Sequence, residues 1–346
     1  MKKINAKCFL ASNSAEGFVS RFKECYDPNS GWTAYIIKGG PGTGKSTFMK
    51  GLIKEAEEKN IETAEVYCAS DPNSLDGVIM PALKTVILDG TSPHIVEPIL
   101  PGVSDGILDF GRFWDPKELK SKSEEIISAT KENKSLHKNA AKYICAAGRL
   151  TELVLEATQS TEETEKSMVE GVEAIKKFIP QKNCKGRVWE AFICGVTPNG
   201  VVCFADSISA RHRFGVKDDF GNVATSVLNS IKQFAIHSGY EVIVFKNPFL
   251  PSKLTDGIFI PELSLFVVRE YEFIKTDKAF RQIPVFVAAQ STEKENRIIN
   301  ELIILAAEKI KAAKEVHDRL EEYYISAMDF NALNDFAEEF YKKLFK

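Results

Sequence analysis

The chain alternates between short runs of β-branched and aromatic residues and longer stretches in which apolar residues recur at helical spacing. Thr33-Ala34-Tyr35-Ile36-Ile37 is a run of the first kind, bounded upstream by Asn29-Ser30-Gly31, and predicts a strand. Phe48, Met49, Leu52, Ile53 and Ala56 fall on one helical face and predict a helix that stops near Asn60. Two more strands are expected at 64–68 and 85–88, the second closing on Asp89. Residues 115–180 carry Leu119, Ile126, Leu136, Ala140, Tyr143, Leu150, Leu153 and Val172 at helical spacing among Lys and Glu, and 292–345 behave likewise. Polar breaks near Gln159-Ser160-Thr161 and Phe330-Asn331 predict turns, so each segment reads as an antiparallel helical arm with a solvated charged face.

The whole pattern occurs twice. One shift lays residues 38–62 over 217–241 without a gap, placing Gly42 on Gly221, Leu52 on Ile231 and Asn60-Ile61-Glu62 on Gly239-Tyr240-Glu241. After one inserted residue, Asp76-Gly77-Val78-Ile79-Met80-Pro81 meets Asp256-Gly257-Ile258-Phe259-Ile260-Pro261, and Val86-Ile87-Leu88 meets Phe266-Val267-Val268. Upstream, Phe9 and Gly17 match Phe192 and Gly200. A register kept through strand, helix and second strand reads as duplication. The expected organisation is α/β, with two homologous domains and mostly parallel sheets, each followed by a helical arm. The first domain is 1–184, with its core at about 1–114 and its arm at 115–180. The second is 185–346, with its core at about 185–290 and its arm at 292–346. The pair Asp76-Gly77, repeated as Asp256-Gly257, reads as a turn.

Composition narrows the setting without changing this picture. A chain of 346 residues suits two cores, and 44% hydrophobic with 27% charged residues is ordinary for a globular protein. The net charge of −3 offers no general cationic field for nucleic acid or an anionic membrane. No apolar run reaches the roughly 18 residues of a membrane span. The start of the chain lacks a secretory pattern, and the seven cysteines, odd in number and without a C-x-x-C pair, read as reduced thiols and not as a disulfide frame or a zinc site. A cytoplasmic protein is expected.

The chemistry concentrates at Gly39-Gly40-Pro41-Gly42-Thr43-Gly44-Lys45-Ser46-Thr47, between the first strand and its helix. Glycines at 39, 42 and 44 let successive backbone N–H groups turn inward as an anion nest, with the positive end of the helix beneath. Lys45 suits the β- and γ-phosphates, Ser46 a hydroxyl contact to Mg²⁺, and Thr47 a contact to the α-phosphate. The spacing resembles the P-loop NTPase superfamily, and its P-G-T-G-K core is typical of the ATPases in it. Duplicated halves with helical arms resemble, more narrowly, a family of uncharacterised bacterial tandem P-loop proteins labelled ATPase or nucleotide kinase. That resemblance implies ATP and Mg²⁺ held through Lys45 and Ser46, and it brings no substrate.

Mg²⁺ needs a further carboxylate at the end of a buried strand. Asp89, after Thr85-Val86-Ile87-Leu88, fits; Asp71, after the strand at 64–68, is the rival. Gly90 follows Asp89 where AAA+ motors show Asp-Glu, which leaves the water-activating base unassigned. In the second half, Lys45 is replaced by Ala224, Gly39 by Asp218, Gly44 by Val223 and Asp89 by Arg269, so one nucleotide site per chain is expected. The second half then serves as support or partner surface, or lends an arginine from Arg211-His212-Arg213 to the first site. Residues 90–114 read as a long Pro/Gly-punctuated loop where a substrate would be received, with His94 and Arg112 its polar candidates. Three functions fit: an ATPase that moves the helical arms or a protein partner bound to them, a small-molecule kinase, and a nucleotide-responsive binding module.

Overall fold

A computed structural model describes residues 6–157, 161–285 and 292–346, so the turn expected at Gln159-Ser160 lies outside the described residues. The first half runs β1 (Ala6–Cys8), β2 (Ala11–Ser14), β3 (Gly17–Ser20), β4 (Thr33–Lys38), α1 (Lys45–Glu58), β5 (Ala64–Tyr67), β6 (Leu75–Met80), β7 (Thr85–Asp89) and β8 (Asp105–Asp109). Helices α2 (Pro116–Ser121), α3 (Ser123–Ala157) and α4 (Glu162–Lys176) follow. The second half runs β9 (Val188–Ala191), β10 (Cys194–Thr197), β11 (Gly200–Cys203), β12 (His212–Lys217), α5 (Asn222–His237), β13 (Val242–Lys246), β14 (Thr255–Ile260), β15 (Leu265–Glu270) and β16 (Arg281–Ile283). It ends in α6 (Glu293–Ser326) and α7 (Phe330–Leu344).

The duplication is visible in the topology. One six-stranded sheet has the order β1-β5-β6-β7-β4-β8, the other β9-β13-β14-β15-β12-β16, which is the same order strand for strand. Even the irregularities repeat: a register shift at Val66/Tyr67 recurs at Phe245/Lys246. The sheets are mostly parallel, as expected, but mixed, with one antiparallel strand inside each. β4 is parallel to β7 and β8, but β6 is antiparallel to both β5 and β7, as β14 is to β13 and β15. The cause is local. A 3-10 turn at Pro81–Leu83 ends on Lys84 at φ 46°, and Pro261–Leu263 ends on Ser264 at φ 49°, so the chain reverses at once and has no length for a crossover.

Two expectations are corrected here. Asp76-Gly77 is no turn: it lies inside the fully buried strand β6, where Gly77 pairs with Leu88, and Asp256-Gly257 lies likewise in β14. The stretch 90–114 is not all loop, because β8 falls within it and pairs with β4 at the sheet edge. The aspartates at both ends of β8 and Gly106 mask its alternation. Asp105 is buried there as a structural acceptor, taking N–H bonds from Ile99 (2.5 Å) and Leu100 (2.9 Å) and the Tyr26 hydroxyl at 3.2 Å. Burial alone would raise its pKa, but these donors hold it below the usual carboxylate value.

The compact units cut across the sequence halves. Among the described residues, one comprises 22–140 and 308–346 with Ala6, the other 7–21 and 141–307, so two of the divisions fall within the long helices α3 and α6. Each unit includes the last helix of the other half, α7 in the first and α4 in the second. In the first unit, Phe336, Phe340 and Tyr341 of α7 surround Phe48 of α1, with Phe110, Phe113 and Leu333 completing the cluster. The Tyr341 hydroxyl donates to Phe48 O at 2.6 Å. In the second, Val172 and Ile175 of α4 pack with Val227, Leu228 and Ile231 of α5. Leu333 is buried and Phe336, Phe340 and Tyr341 are partly buried, so each contributes at most about 1.5–3 kcal/mol, and together they pack α7 on the core. Among the described residues no helix is long and apolar enough to cross a membrane.

Candidate functional site

Strand β4 delivers the chain to Gly39, and α1 opens at Lys45. Gly42 (φ 64°) and Gly44 (φ 81°) take left-handed conformations that L side chains disfavour, and they fold the intervening backbone into a tight turn. The buried Thr43 braces it, its hydroxyl donating to Gly40 O at 2.9 Å. Pro41 is half-buried in the turn, and Thr47 is exposed on the first turn of α1. The result is a loop whose amides sit over the positive end of a 14-residue helix.

Lys45 and Asp89 meet at this loop. The Lys45 ammonium donates to Gly40 O at 2.7 Å and Gly39 O at 3.4 Å, and lies 3.6 Å from Asp89 Oδ2. Asp89 reaches it because β7 pairs with β4, with Asp89 opposite Ile37 at the strand end. Its other oxygen, Oδ1, accepts from Thr91 N at 2.9 Å and Thr91 Oγ1 at 2.6 Å, which orients the carboxylate. Ser46 Oγ accepts from Leu75 N at 3.0 Å. The equivalent Thr225 Oγ1 accepts from Thr255 N, also at 3.0 Å, so this contact ties α1 to β6 as part of the framework in both halves. Asp71 is turned elsewhere: its carboxylate accepts from Asn73 N at 3.0 Å and lies 3.7 Å from Lys314 Nζ.

Residues that sequence reasoning left out complete the loop's surroundings. Glu321 Oε1, on α6, accepts from Gly42 N at 3.3 Å. The ring of Tyr324 approaches so closely that a Cβ on Gly40 would lie 2.5 Å from it, and Phe330 and Leu333 approach Gly44. Lys314, His317, Glu321 and Tyr324 share one face of α6, a spacing visible in the sequence but without a sign of what it faces. His317, 3.5 Å from Glu321, is the main influence holding the Glu321 carboxyl below its ordinary value; burial opposes it, and the Gly42 N–H and Lys314 assist.

The other candidates have structural partners. His94 Nε2 lies 3.1 Å from Asp76 Oδ2, with its ring stacked on Phe22. Burial lowers the His94 pKa, but the Asp76 hydrogen bond and charge, with Asp89 beyond, outweigh it and leave the value raised. The Arg112 guanidinium lies over Phe113 (4.7 Å) and Phe336 (5.0 Å) and so serves the packing of α7. Arg213 donates to Ile208 O at 2.7 Å and lies over Phe280, His212 packs on Phe178, and the Arg211 amide donates to Ser264 Oγ.

The twin loop is filled from within. Asp218 Oδ2 accepts from Ala224 N at 2.9 Å and Oδ1 from Phe220 N at 3.0 Å. Buried Arg269 donates to the carbonyls of Asp218 and Asp219, both at 2.7 Å, and lies 3.2 Å from Asp256 Oδ1. Asn247 and the Tyr271 hydroxyl also donate to Asp256. No protein-family model, curated protein or solved structure matches the chain.

Proposed function

We propose that the loop at 39–47 binds ATP with Mg²⁺ and that the chain is an ATPase with this one nucleotide site. The observation that carries the reading is the meeting of the Lys45 ammonium and the Asp89 carboxylate at an amide-lined turn, where the Ser46 hydroxyl follows Lys45 in the chain. A triphosphate matches the turn and the lysine, because buried N–H donors and a lysine both favour concentrated negative charge. A hard cation matches the hydroxyl and the carboxylate, since Mg²⁺ prefers hydroxyl, carboxylate and phosphate oxygens. When bound, Mg²⁺ supplies charge neutralisation on the phosphate oxygens. Lys45 would exchange its two carbonyl acceptors for phosphate, a charge-assisted bond of about twice the strength of a neutral one. The second loop is no second site on this reading, because Asp218 already takes the amide at the head of α5.

Conformational output follows from Glu321. The Gly42 N–H that it engages belongs to the same turn, and one N–H does not serve two acceptors equally. Nucleotide binding is therefore linked to displacement of this part of α6. The same contact favours a second reading, a nucleotide-responsive switch with little turnover. Phosphate release from the purified chain with Mg-ATP separates the two. Steady release without an added acceptor supports the ATPase, and tight ATP binding without release supports the switch. ATP affinity that survives Lys45→Ala would falsify both.

A further inference from the structure

Beside the glycine-rich loop lies a cluster that the nucleotide reading does not use. Cys68 follows β5, Asp76 is the second residue of β6, and His94 follows β7; their thiol, carboxylate and imidazole donor atoms all lie within 4.8 Å of one another. Asp76 lies 3.1 Å from His94 Nε2, and its charge helps raise the pKa of the buried Cys68 thiol, for which burial is the main cause. Three donors of different softness within 4.8 Å of one another suit a cation.

The twin half places a cationic group beside the counterpart of Asp76. Asp256, the counterpart of Asp76, is fully buried and neutralised by Arg269. In the first half the position of Arg269 is Asp89, so a positive charge is replaced by a second carboxylate, while Asp76 remains buried. Asn247, the counterpart of Cys68, donates to Asp256, whereas Cys68 offers sulfur. The first half thus lacks the buried arginine of its twin, with Lys45 beside Asp89 instead, and carries a thiol and an imidazole beside Asp76.

We propose that Cys68, Asp76 and His94 form a three-ligand site for a divalent transition metal, zinc by donor chemistry. Sulfur, nitrogen and oxygen ligands at about 2.0–2.3 Å from tetrahedral Zn²⁺ lie roughly 3.3–3.8 Å apart, so a small contraction of the cluster closes the site. The thiol proton leaves when the thiolate coordinates. Three protein ligands leave one position for water or a substrate atom, as in catalytic zinc sites. Mg²⁺ is disfavoured here, because it takes oxygen ligands and the site offers sulfur and nitrogen. The site stands apart from the ATP reading and does not depend on it.

The test uses the full chain, stripped by a chelator, titrated with Zn²⁺ against a chromophoric competitor and then loaded with Co²⁺. The expected result is one Zn²⁺ per chain with a Kd below about 1 µM, and a thiolate-to-cobalt charge-transfer band. Cys68→Ser should remove the band and His94→Ala should weaken Zn²⁺ binding at least about tenfold. Lys45→Ala should leave both signals unchanged, which separates this site from the nucleotide site. Absence of the band in the unsubstituted chain overturns the proposal without relying on any variant. Zn²⁺ affinity untouched by both ligand substitutions overturns it equally.

Discussion

The turns at 39–47 and 217–225 each present backbone amides to a carboxylate where a helix begins, but the carboxylates come from different places. In the second turn it is Asp218, a local residue that grips Ala224 N at 2.9 Å and is itself locked by buried Arg269. In the first it is Glu321, from a helix far along the chain, at a longer 3.3 Å and with a half-exposed side chain. A local acceptor adds little ordering entropy when it binds, so that loop is closed for good. A remote acceptor is held by the packing of a helix and is exchangeable. Duplication thus produced one loop committed to structure and one that keeps a lysine, a hydroxyl and a carboxylate for something else.

The largest effect should come from Arg269. Its replacement by alanine strands Asp256 in the core and releases two carbonyls, so the second unit should lose about 3–5 kcal/mol in urea unfolding. Asp89→Asn at the matching position should cost less than about 1 kcal/mol, because Thr91 still engages the side chain. Equal losses in the two halves would break the comparison. Next is Lys45→Ala, expected to weaken ATP binding about 100-fold, some 2.7 kcal/mol, by calorimetry with the fold retained. Asp218→Ala removes a helix-opening acceptor and should cost about 1–2 kcal/mol of stability without creating ATP affinity. ATP binding by that variant would show that the second loop is merely blocked.

The smallest effect concerns Glu321. Glu321→Gln weakens the competing contact and should tighten ATP binding about fivefold, near 1 kcal/mol. The pH dependence has a defined sign. The Glu321 pKa is lowered on folding, chiefly by His317, so its contribution is present above the unfolded value of about 4.5 and is lost as pH falls through the lowered folded value. Solvent screening keeps that contribution below about 1 kcal/mol. A Glu321→Gln chain should show a flatter acid limb in thermal unfolding, and an unchanged limb would remove Glu321 from the account.

Much of the site was legible because it is local. Strand β4, the turn, the buried face of α1 and the position of Asp89 at the end of β7 each follow from contiguous patterns. The errors were of two kinds. Asp-Gly at 76–77 has turn chemistry, yet pairing with β7 holds it in a strand. β8 pairs only at the sheet edge, so its exposed Ile107 and terminal aspartates gave no alternation to read. His94 and Arg112 looked alike as loop polar residues, but Arg112 stacks on aromatic rings while His94 meets Asp76.

By itself the sequence determined the duplication, the two turns and the loss of lysine and glycines from the second, since these reside in spacing and residue identity over short spans. Only the tertiary structure decided which core each terminal helix completes. An amphipathic face specifies burial but not the sheet that buries it, and so α7 joins the first unit and α4 the second. It also decided that Glu321 reaches Gly42 and that Cys68, Asp76 and His94 converge. Those meetings join residues from separate strands and helices, and strand order and packing, not spacing along the chain, bring them together.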